Sequence, residues 1–310
     1  MRCLCCGKEI KKDHINSWHK ACIKRFFNSD TLPLVNLKTI DEEMKKLGEK
    51  LIEESKSITG VQRKLSMHLD KEKNGTRLTL IGYPQGYILK PNSEQYSFIA
   101  EAEHLIMGLA NICLIKTTPN ALIDIGDNNY AYITKRIDRD DVNKIHMEDF
   151  CQLSNRPTEY KYNSSYEKCG KIIKNYSSTP YIDQVELIYR LLFCYIVGNS
   201  DMHLKNFSLK ETKDGFSLSE AYDLLPVQLI INDNEDMALT LNGKKKNLTK
   251  NDFYKLADNL EIPRKTVEKL IIRLFAKKEK MFDYINDSYI PEEKKEELKE
   301  LIQKRFDKLI

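Results

Sequence analysis

One segment of this 310-residue chain carries most of the information about its architecture: Gly198-Asn199-Ser200-Asp201-Met202-His203-Leu204-Lys205-Asn206. It follows residues 183–197, a nearly all-apolar stretch that predicts a buried helix. Phosphoryl transfer to a hydroxyl requires a carboxylate that accepts the proton and a neutral oxygen that binds metal, and the spacing Asp-x-x-x-x-Asn supplies both. Asp201 and Asn206 have this spacing, although it also arises by chance, and helix capping after the Gly-Asn break is the structural alternative.

A second acid follows this segment in the expected order. Asp223 lies 17 residues after Asn206, within Ala221-Tyr222-Asp223-Leu224-Leu225, an apolar segment that predicts a strand interrupted by one acid. Burying a carboxylate there is costly unless a cation or hydrogen bonds compensate it, and Mg²⁺ would do so. Turn capping is the alternative for Asp223. The order of the three residues favours a phosphotransfer site with Asp201 as base and Asn206 and Asp223 as metal ligands.

The first half of the chain offers groups for a nucleotide. Lys90 ends the apolar run Tyr87-Ile88-Leu89, where its ammonium could reach phosphates. A helix predicted over about 97–110 supplies Glu101 and Glu103 as ion-pair partners, and we expect Glu103 to be the partner. A strand-end lysine in solvent is the alternative.

The pattern of apolar residues divides the chain into three parts: a Cys- and His-rich segment at 1–30, a strand-rich N-lobe at 31–139 and a helical C-lobe at 140–310. Apolar residues spaced four, three and four apart predict an amphipathic helix over 37–55. Short strands are expected near 65–67, 78–81, 87–89, 121–125 and 130–137. A last amphipathic helix is expected at the end of the chain. The predicted class is α+β.

Composition argues against several classes of protein. The 50 basic and 46 acidic residues give a net charge of +4, spread along the chain, which is too small for a nucleic-acid-binding face. The first six residues hold no signal-peptide core, and the longest apolar run, 191–197, is far too short to span a membrane. Eight cysteines without a secretion signal indicate reduced thiols. We expect a cytoplasmic protein.

Seven motifs, in order over about 55–280, resemble the HipA family of bacterial serine/threonine kinase toxins. They lie at residues 57–65, 88–91, 133–139, 148–152, 198–206, 222–223 and 239–245. The resemblance implies a bilobal protein-kinase-like fold with ATP and Mg²⁺ as cofactors. It also implies Asp201 as base, Lys90 on the phosphates and His203 as support for the catalytic loop.

Further nucleotide contacts are implied by the same resemblance. The phosphate loop would contribute Ser57, Thr59, Gly60, Val61, Gln62 and Lys64. A hinge made of Lys135, Arg136 and Ile137 would contact adenine through main-chain groups. In the family, autophosphorylation of the phosphate loop ejects the loop and shuts the kinase off. Ser57 is in the matching position, and Thr59 is a second possible acceptor. A phosphate on Ser57 would add about −1.5 to −2 charges, which is hard to reconcile with a loop folded over the ATP phosphates.

Only some 55 residues precede the phosphate loop, which resembles the short HipT-type members of the family. The resemblance then implies a small HipS-like partner protein and a helix-turn-helix HipB-like antitoxin. DNA would be bound only indirectly, through the antitoxin, and no membrane would be involved. An aminoacyl-tRNA synthetase is the implied protein substrate.

Two alternative functions remain open from the residues alone. The same fold could phosphorylate a small-molecule or lipid hydroxyl, and only the family resemblance argues against this. A non-catalytic pseudokinase acting as a binding module is the other alternative. The presence of Lys90, Asp201, Asn206 and Asp223 argues against that second alternative.

The beginning of the chain contains two pairs of soft metal ligands. Cys3-x2-Cys6 is followed by His19-x2-Cys22, and four such ligands suit a structural, tetrahedral Zn²⁺. Cys5 and His14 are further candidates. The alternative is a set of reduced thiols that pack against Trp18, Phe26 and Phe27.

Overall fold

A computed structural model describes residues 1–11, 14–35, 64–72, 75–80, 86–93, 95–96, 98–126, 129–140, 143–231 and 233–310. The expected helix at 37–55 and the phosphate-loop residues Ser57, Thr59, Gly60, Val61 and Gln62 lie outside these ranges. The chain forms two compact units. The N-unit comprises Met1–His104 and Thr118–Lys144, and the C-unit comprises Leu105–Thr117 and Ile145–Ile310.

The N-unit begins with a small hairpin and a helix. The hairpin pairs β1 (His14–Ile15) with β2 (Trp18–His19), and α1 (Lys20–Phe27) follows directly. Asn16 and Ser17 both have positive φ, 44° and 62°, which is the backbone of a tight primed hairpin turn. Cys22, Ile23, Phe26 and Phe27 form the buried face of α1.

A five-stranded antiparallel sheet forms the centre of the N-unit. Its strands are β3 (Leu65–Glu72), β4 (Gly75–Leu80), β5 (Tyr87–Pro91), β6 (Asn120–Asp124) and β7 (Tyr130–Lys135). The spatial order is β4-β3-β5-β7-β6, so β5, which carries Lys90, is the central strand. Two short strands of two residues each, β8 (Arg139–Asp140) and β9 (Asn143–Lys144), follow β7 and pair with each other.

The N-terminal segment covers part of both edges of this sheet. On the β6 edge, the Leu122 amide donates to the Leu4 carbonyl at 2.8 Å. On the β4 edge, the Leu34 amide donates to the Thr76 carbonyl at 3.2 Å, and the Leu78 amide donates to the Leu34 carbonyl at 3.2 Å. Backbone groups that an edge strand would otherwise present are therefore paired at these points.

Helix α2 (Ile99–Ile112) follows β5, close to the range predicted for it. Its first turns, with Glu103 and His104, belong to the N-unit, and the rest of the helix belongs to the C-unit. Every residue from 99 to 107 is buried, which explains why the sequence of this helix is apolar with few exceptions.

The C-unit is mainly helical, as expected. Its helices are α3 (Phe150–Leu153), α4 (Tyr166–Tyr176), α5 (Pro180–Ile196), α6 (Val227–Ile231), α7 (Lys250–Asn259), α8 (Arg264–Phe275), α9 (Lys278–Asn286) and α10 (Glu292–Leu309). Helix α5 is the predicted buried helix and packs against α4, α7, α8 and α10. Within the described residues, none of the helices is both long enough and apolar enough to cross a membrane.

The helical C-unit also contains an antiparallel sheet that the sequence did not predict. It has the order β10 (Met147–Asp149), β11 (Ser208–Thr212) and β12 (Gly215–Leu218). The strand β10 has only three residues and pairs with β11, about sixty positions later, so no local periodicity reveals it. Because β11 starts two residues after Asn206, this sheet fixes the end of the predicted catalytic loop.

The expectation that Asp223 lies in a strand is wrong. Ala221 forms one isolated bridge with Thr117, but Asp223 has φ of +53°, in the left-handed region. Asp and Asn adopt this conformation more readily than other non-glycine residues. Asp223 therefore has a left-handed rather than an extended backbone conformation.

Candidate active site

The predicted catalytic loop leaves the end of the buried helix α5. All residues from 187 to 200 are buried, so the loop starts from a rigid base. Gly198 has φ of +70°, and a Cβ added there would lie 2.6 Å from Leu301 Cδ2. The left-handed backbone conformation therefore favours glycine at this position, and any other residue would also require the Leu301 side chain of α10 to move.

Hydrogen bonds within the loop hold Asp201 and Asn206 together. The Asp201 amide donates to Asn199 Oδ1 at 3.2 Å, and Asn199 itself is fully buried. The Asp201 carbonyl accepts from the His203 amide at 2.8 Å and from Asn206 Nδ2 at 2.7 Å. Because Nδ2 is turned towards that carbonyl, Asn206 Oδ1 points away from it and is presented as a neutral oxygen donor.

Tyr162 contacts the predicted base, and sequence reasoning missed it. Its hydroxyl donates to Asp201 Oδ1 at 2.6 Å. Burial, followed by this hydrogen bond, raises the pKa of the Tyr162 phenol, so the group remains a donor at neutral pH. The contact joins residues 39 positions apart, and the polar run around Tyr162 gives no local signal of it.

His203 supports the loop from within. Its ring packs edge-on against the Tyr162 ring, with centroids 4.9 Å apart. Burial lowers the pKa of His203, although the nearby charge of Asp201 opposes this effect. We therefore expect a neutral imidazole at pH 7. Its Nδ1 atom is buried and has no hydrogen-bond partner among the described residues.

Asp223 is brought next to the loop by the residue before it. The Tyr222 hydroxyl donates to the Lys205 carbonyl at 3.1 Å and lies 2.5 Å from Ser208 Oγ. Burial raises the pKa of this tyrosine, which keeps it protonated. The negative charge of Asp223, like that of Asp201, opposes the lowering of the His203 pKa by burial.

One ion pair and one hydrogen bond fix the ends of the loop. Lys205 Nζ donates to Asp149 Oδ2 at 2.7 Å, which ties the loop to β10. The Ser200 hydroxyl donates to Asp233 Oδ2 at 2.6 Å. Such contacts hold a catalytic side chain in one geometry before substrate binds.

The N-unit contains the expected lysine–glutamate pair. Lys90 Nζ and Glu103 Oε1 are 2.6 Å apart, and both side chains are buried. Lys90 Nζ also lies 5.2 Å from the centre of the Tyr132 ring. Glu101 has a different partner, because it accepts a hydrogen bond from Asn92 Nδ2 at 3.0 Å, and burial raises its pKa.

The three hinge residues lie at the end of β7 and just after it. The Lys135 amide donates to the Pro119 carbonyl, and the Arg136 amide donates to the Gly86 carbonyl, both at 2.9 Å. These two amides are thus already used within the N-unit. Within the described residues the Ile137 amide makes no hydrogen bond. Lys64, at the other end of the expected site, is exposed before β3.

These residues suit the chemistry of ATP and Mg²⁺. An amide oxygen from Asn206 and a carboxylate from Asp223 are the hard oxygen ligands that Mg²⁺ prefers. In the N-unit, Glu103 holds the ammonium of Lys90 at the end of the central strand, which is where kinases carry the lysine that contacts phosphates.

The four predicted zinc ligands come together at a second place in the N-unit. The donor atoms of Cys3, Cys6, His19 and Cys22 all lie within 4.8 Å of one another. Cys5 lies outside this set of four, and His14 is exposed. The aromatic residues Trp18, Phe26 and Phe27 do pack together beneath, with ring centroids 4.8–5.7 Å apart.

Comparison with known proteins identifies one family. Residues 56–282 match the family model described as the HipA-like C-terminal domain. Three relatives carry the name "Putative kinase". Y4dM of Sinorhizobium fredii is 33% identical over 227 residues, which are 68% of this chain and 55% of the relative. Y4mE of the same organism is 30% identical, over 63% of this chain and 48% of the relative. A Haemophilus influenzae protein is 27% identical over 76% of both chains.

This chain therefore spans about half the length of the two Sinorhizobium relatives. Two solved structures resemble its fold. HipA of Shewanella oneidensis, determined with HipB and operator DNA, has a TM-score of 0.66 and 18% identity, covering 85% of this chain and 70% of the other. The Helicobacter pylori proinflammatory kinase CtkA has a TM-score of 0.55 and 16% identity, covering 78% and 93%. The predicted α+β, kinase-like fold is confirmed.

Proposed function

This chain belongs to the HipA-like C-terminal domain family, and from that membership we propose that it is a cytoplasmic serine/threonine protein kinase that uses ATP and Mg²⁺. The observation that carries the proposal is the geometry of the loop after α5. There, one carbonyl accepts from both the His203 amide and Asn206 Nδ2, and so holds the base and the amide ligand in a fixed relation.

Each residue has a defined part in this proposal. Asp201 accepts the proton of the acceptor hydroxyl while that oxygen bonds to the γ-phosphorus and the bond to the departing ADP oxygen breaks. Asn206 and Asp223 hold Mg²⁺, which when bound neutralises charge on the phosphates. Lys90, fixed by Glu103, contacts the phosphates, and His203 supports the loop in its neutral form.

The substrate and partners are proposed from the family. We propose that the chain is the toxin of a toxin–antitoxin system, that it phosphorylates an aminoacyl-tRNA synthetase, and that a HipS-like protein accompanies it. A HipB-like antitoxin would connect it to DNA. The similarity to Shewanella oneidensis HipA, whose structure contains HipB and operator DNA, supports the antitoxin and DNA part. The synthetase substrate and the HipS-like partner are supported by the family resemblance alone.

Self-phosphorylation is the most direct test of the activity. Purified protein is first shown to be unphosphorylated by intact mass, and is then incubated with Mg²⁺ and ATP before phosphosite mapping by mass spectrometry. We expect phosphate on Ser57 or Thr59. The variant Asp201→Asn should lose activity by about 10²- to 10⁴-fold, since a general base typically contributes that much.

The matched control is Asp214→Asn, because Asp214 lies at the exposed turn between β11 and β12. This variant should retain full activity. If Asp201→Asn is as active as the control, Asp201 is not the base. If the wild type transfers phosphate to a small-molecule or lipid hydroxyl and to no protein, the protein-kinase part of the proposal is wrong.

A further inference from the structure

The phosphotransfer site does not use the cluster formed by Cys3, Cys6, His19 and Cys22. All four residues belong to the N-unit. Cys3 and Cys22 are buried, whereas Cys6 and His19 are partly exposed, so an ion could enter the cluster from solvent. Three thiols and one imidazole form a donor set that zinc prefers in structural sites.

The distances between donor atoms fit a tetrahedral ion. Cys6 Sγ lies 3.5 Å from His19 Nδ1, and Cys22 Sγ lies 3.9 Å from the same nitrogen. A zinc ion at about 2.3 Å from sulfur and about 2.1 Å from nitrogen would separate such donors by about 3.6 Å. Thiols that merely pack against aromatic rings would not need to converge on one imidazole nitrogen.

Neighbouring groups prepare the donors for a metal. His19 Nε2 lies 3.2 Å from the Glu9 carbonyl, so Nε2 carries the proton and the Nδ1 lone pair is directed at the cysteines. The His19 amide donates to Cys3 Sγ at 3.4 Å, and Arg25 Nη2 donates to Cys22 Sγ at 3.8 Å. Both contacts would stabilise thiolate charge.

The backbone is also shaped to deliver the four ligands. Gly7 has φ of +67°, and its amide donates to the Cys3 carbonyl at 2.8 Å, which closes a tight turn around Cys3 and Cys6. The hairpin of β1 and β2 delivers His19, and the first turn of α1 delivers Cys22.

Helix α1 connects this cluster to the strands of the nucleotide site. The Tyr87 hydroxyl on β5 donates to the Phe26 carbonyl at 3.2 Å, and the Tyr87 ring lies 5.9 Å from Phe26 and 5.5 Å from Phe27. Tyr87 is three residues before Lys90 on the same strand. Lys135 Nζ, in the hinge, lies 5.6 Å from the centre of the Phe26 ring.

We propose that Cys3, Cys6, His19 and Cys22 bind one structural Zn²⁺, and that this ion, acting through α1, positions β5 and the end of β7 for nucleotide binding. The second half of this proposal rests on the proposed function. Four protein ligands leave no open coordination position, so the ion takes no part in catalysis. Tyr87 is a positioning residue that acts through Lys90.

The ion is tested first, by elemental analysis of the full-length protein. We expect about one zinc per chain, and replacement by Co²⁺ should give the absorption bands of tetrahedral thiolate coordination. Cys6→Ser and His19→Gln should lose the metal. Their matched controls, Cys5→Ser and His14→Gln, should keep it. Folded wild-type protein without metal would overturn the site, and metal loss in Cys5→Ser but not in Cys6→Ser would overturn this ligand set.

The link to nucleotide is tested by measuring the Kd for MgADP. Removing zinc with a chelator should raise this Kd by about 5- to 150-fold, the usual range for coupled sites, and added zinc should restore it. By reciprocity, MgADP should make zinc harder to remove. Tyr87→Phe deletes only the hydroxyl and keeps the metal site, so it tests the link even if metal-free protein unfolds.

The results separate the two proposals. Tyr87→Phe should keep its zinc and bind MgADP more weakly, whereas a zinc-loaded Tyr87→Phe variant with an unchanged Kd would overturn the coupling. Wild-type protein that holds zinc but never binds MgADP would overturn the proposed kinase function and the coupling, and would leave the zinc site standing.

Discussion

Tyr162 occupies the place at Asp201 where an acceptor hydroxyl would be expected to bind. Its phenol donates to Asp201 Oδ1 at 2.6 Å, and the side chain is partly exposed, so it can be displaced by an incoming substrate. The tyrosine hydroxyl is therefore a competitor of the substrate hydroxyl.

We expect Tyr162→Phe to increase kcat/KM for phosphate transfer by about 10-fold, because a hydrogen bond to a charged group contributes about 1.5–3 kcal/mol and only part of it is lost on substrate binding. Steady-state kinetics with a protein acceptor would measure this change. Tyr160→Phe is the control, since Tyr160 is exposed in the same loop. A fall in activity in Tyr162→Phe alone would instead show that the hydroxyl positions Asp201.

At the scale of secondary-structure elements, α10 contacts the beginning of the predicted catalytic loop. The Leu301 side chain lies so close to Gly198 that a Cβ placed on that glycine would be 2.6 Å from Leu301 Cδ2. Arg305 Nη2 donates to Asp236 Oδ1 at 2.6 Å and to Gln228 Oε1 at 3.0 Å. The backbone N–H of Gln228 in turn donates to the Gly198 carbonyl at 3.0 Å. The last helix therefore helps to fix the first residue of the loop.

The beginning of α7 contains a buried carboxylate with several donors. Asp252 accepts from Asn242 and Lys244 on one oxygen, at 2.8 and 2.9 Å, and from the Thr249 amide and hydroxyl on the other, both at 2.9 Å. Burial alone would raise the pKa of Asp252, but these hydrogen bonds outweigh it and lower the pKa to about 2. The charged carboxylate thus joins α7 to residues 242–244, within the seventh family motif.

Stability should depend on pH through this group. The pKa of Asp252 is lower in the folded than in the unfolded chain. Its contribution to stability is therefore complete above the unfolded-state pKa of about 4, and is lost as the pH falls towards the folded-state pKa of about 2. Asp252→Asn should reduce the free energy of unfolding by about 2 kcal/mol at pH 7 and by little at pH 2. Urea unfolding at both pH values would measure this, with Asp214→Asn as control. An equal loss at both pH values would show that charge is not the cause.

For the whole molecule, the features that the sequence predicted are those that depend on local pattern. Asp201 and Asn206 could be selected as candidate site residues because the proposed chemistry requires a fixed spacing, and Lys90 because it ends an apolar strand. The helices α2, α5 and α10 could be found from long apolar periodicity. These signals were sufficient for the kinase-like fold, which the comparisons confirm.

The features that were missed depend on contacts between distant residues or on backbone conformation. Tyr162 reaches Asp201 across 39 positions, and the strand β10 finds its partner about sixty positions away. The left-handed backbone at Asp223 cannot be read from the apolar residues around it, which by themselves favour a strand. Spacing within one segment carries no information on any of these.

The covering of both sheet edges by Leu4 and Leu34 has a consequence for handling the protein. The family match begins at residue 56, which invites a fragment covering 56–310, but such a fragment lacks both covering segments. Uncovered edge strands pair with other chains. We expect this fragment to aggregate at concentrations where the full chain does not, as light scattering after size exclusion would show. If the fragment aggregated no more than the full chain, the edges would have to be protected by other means, and the first 55 residues could be removed without loss of solubility.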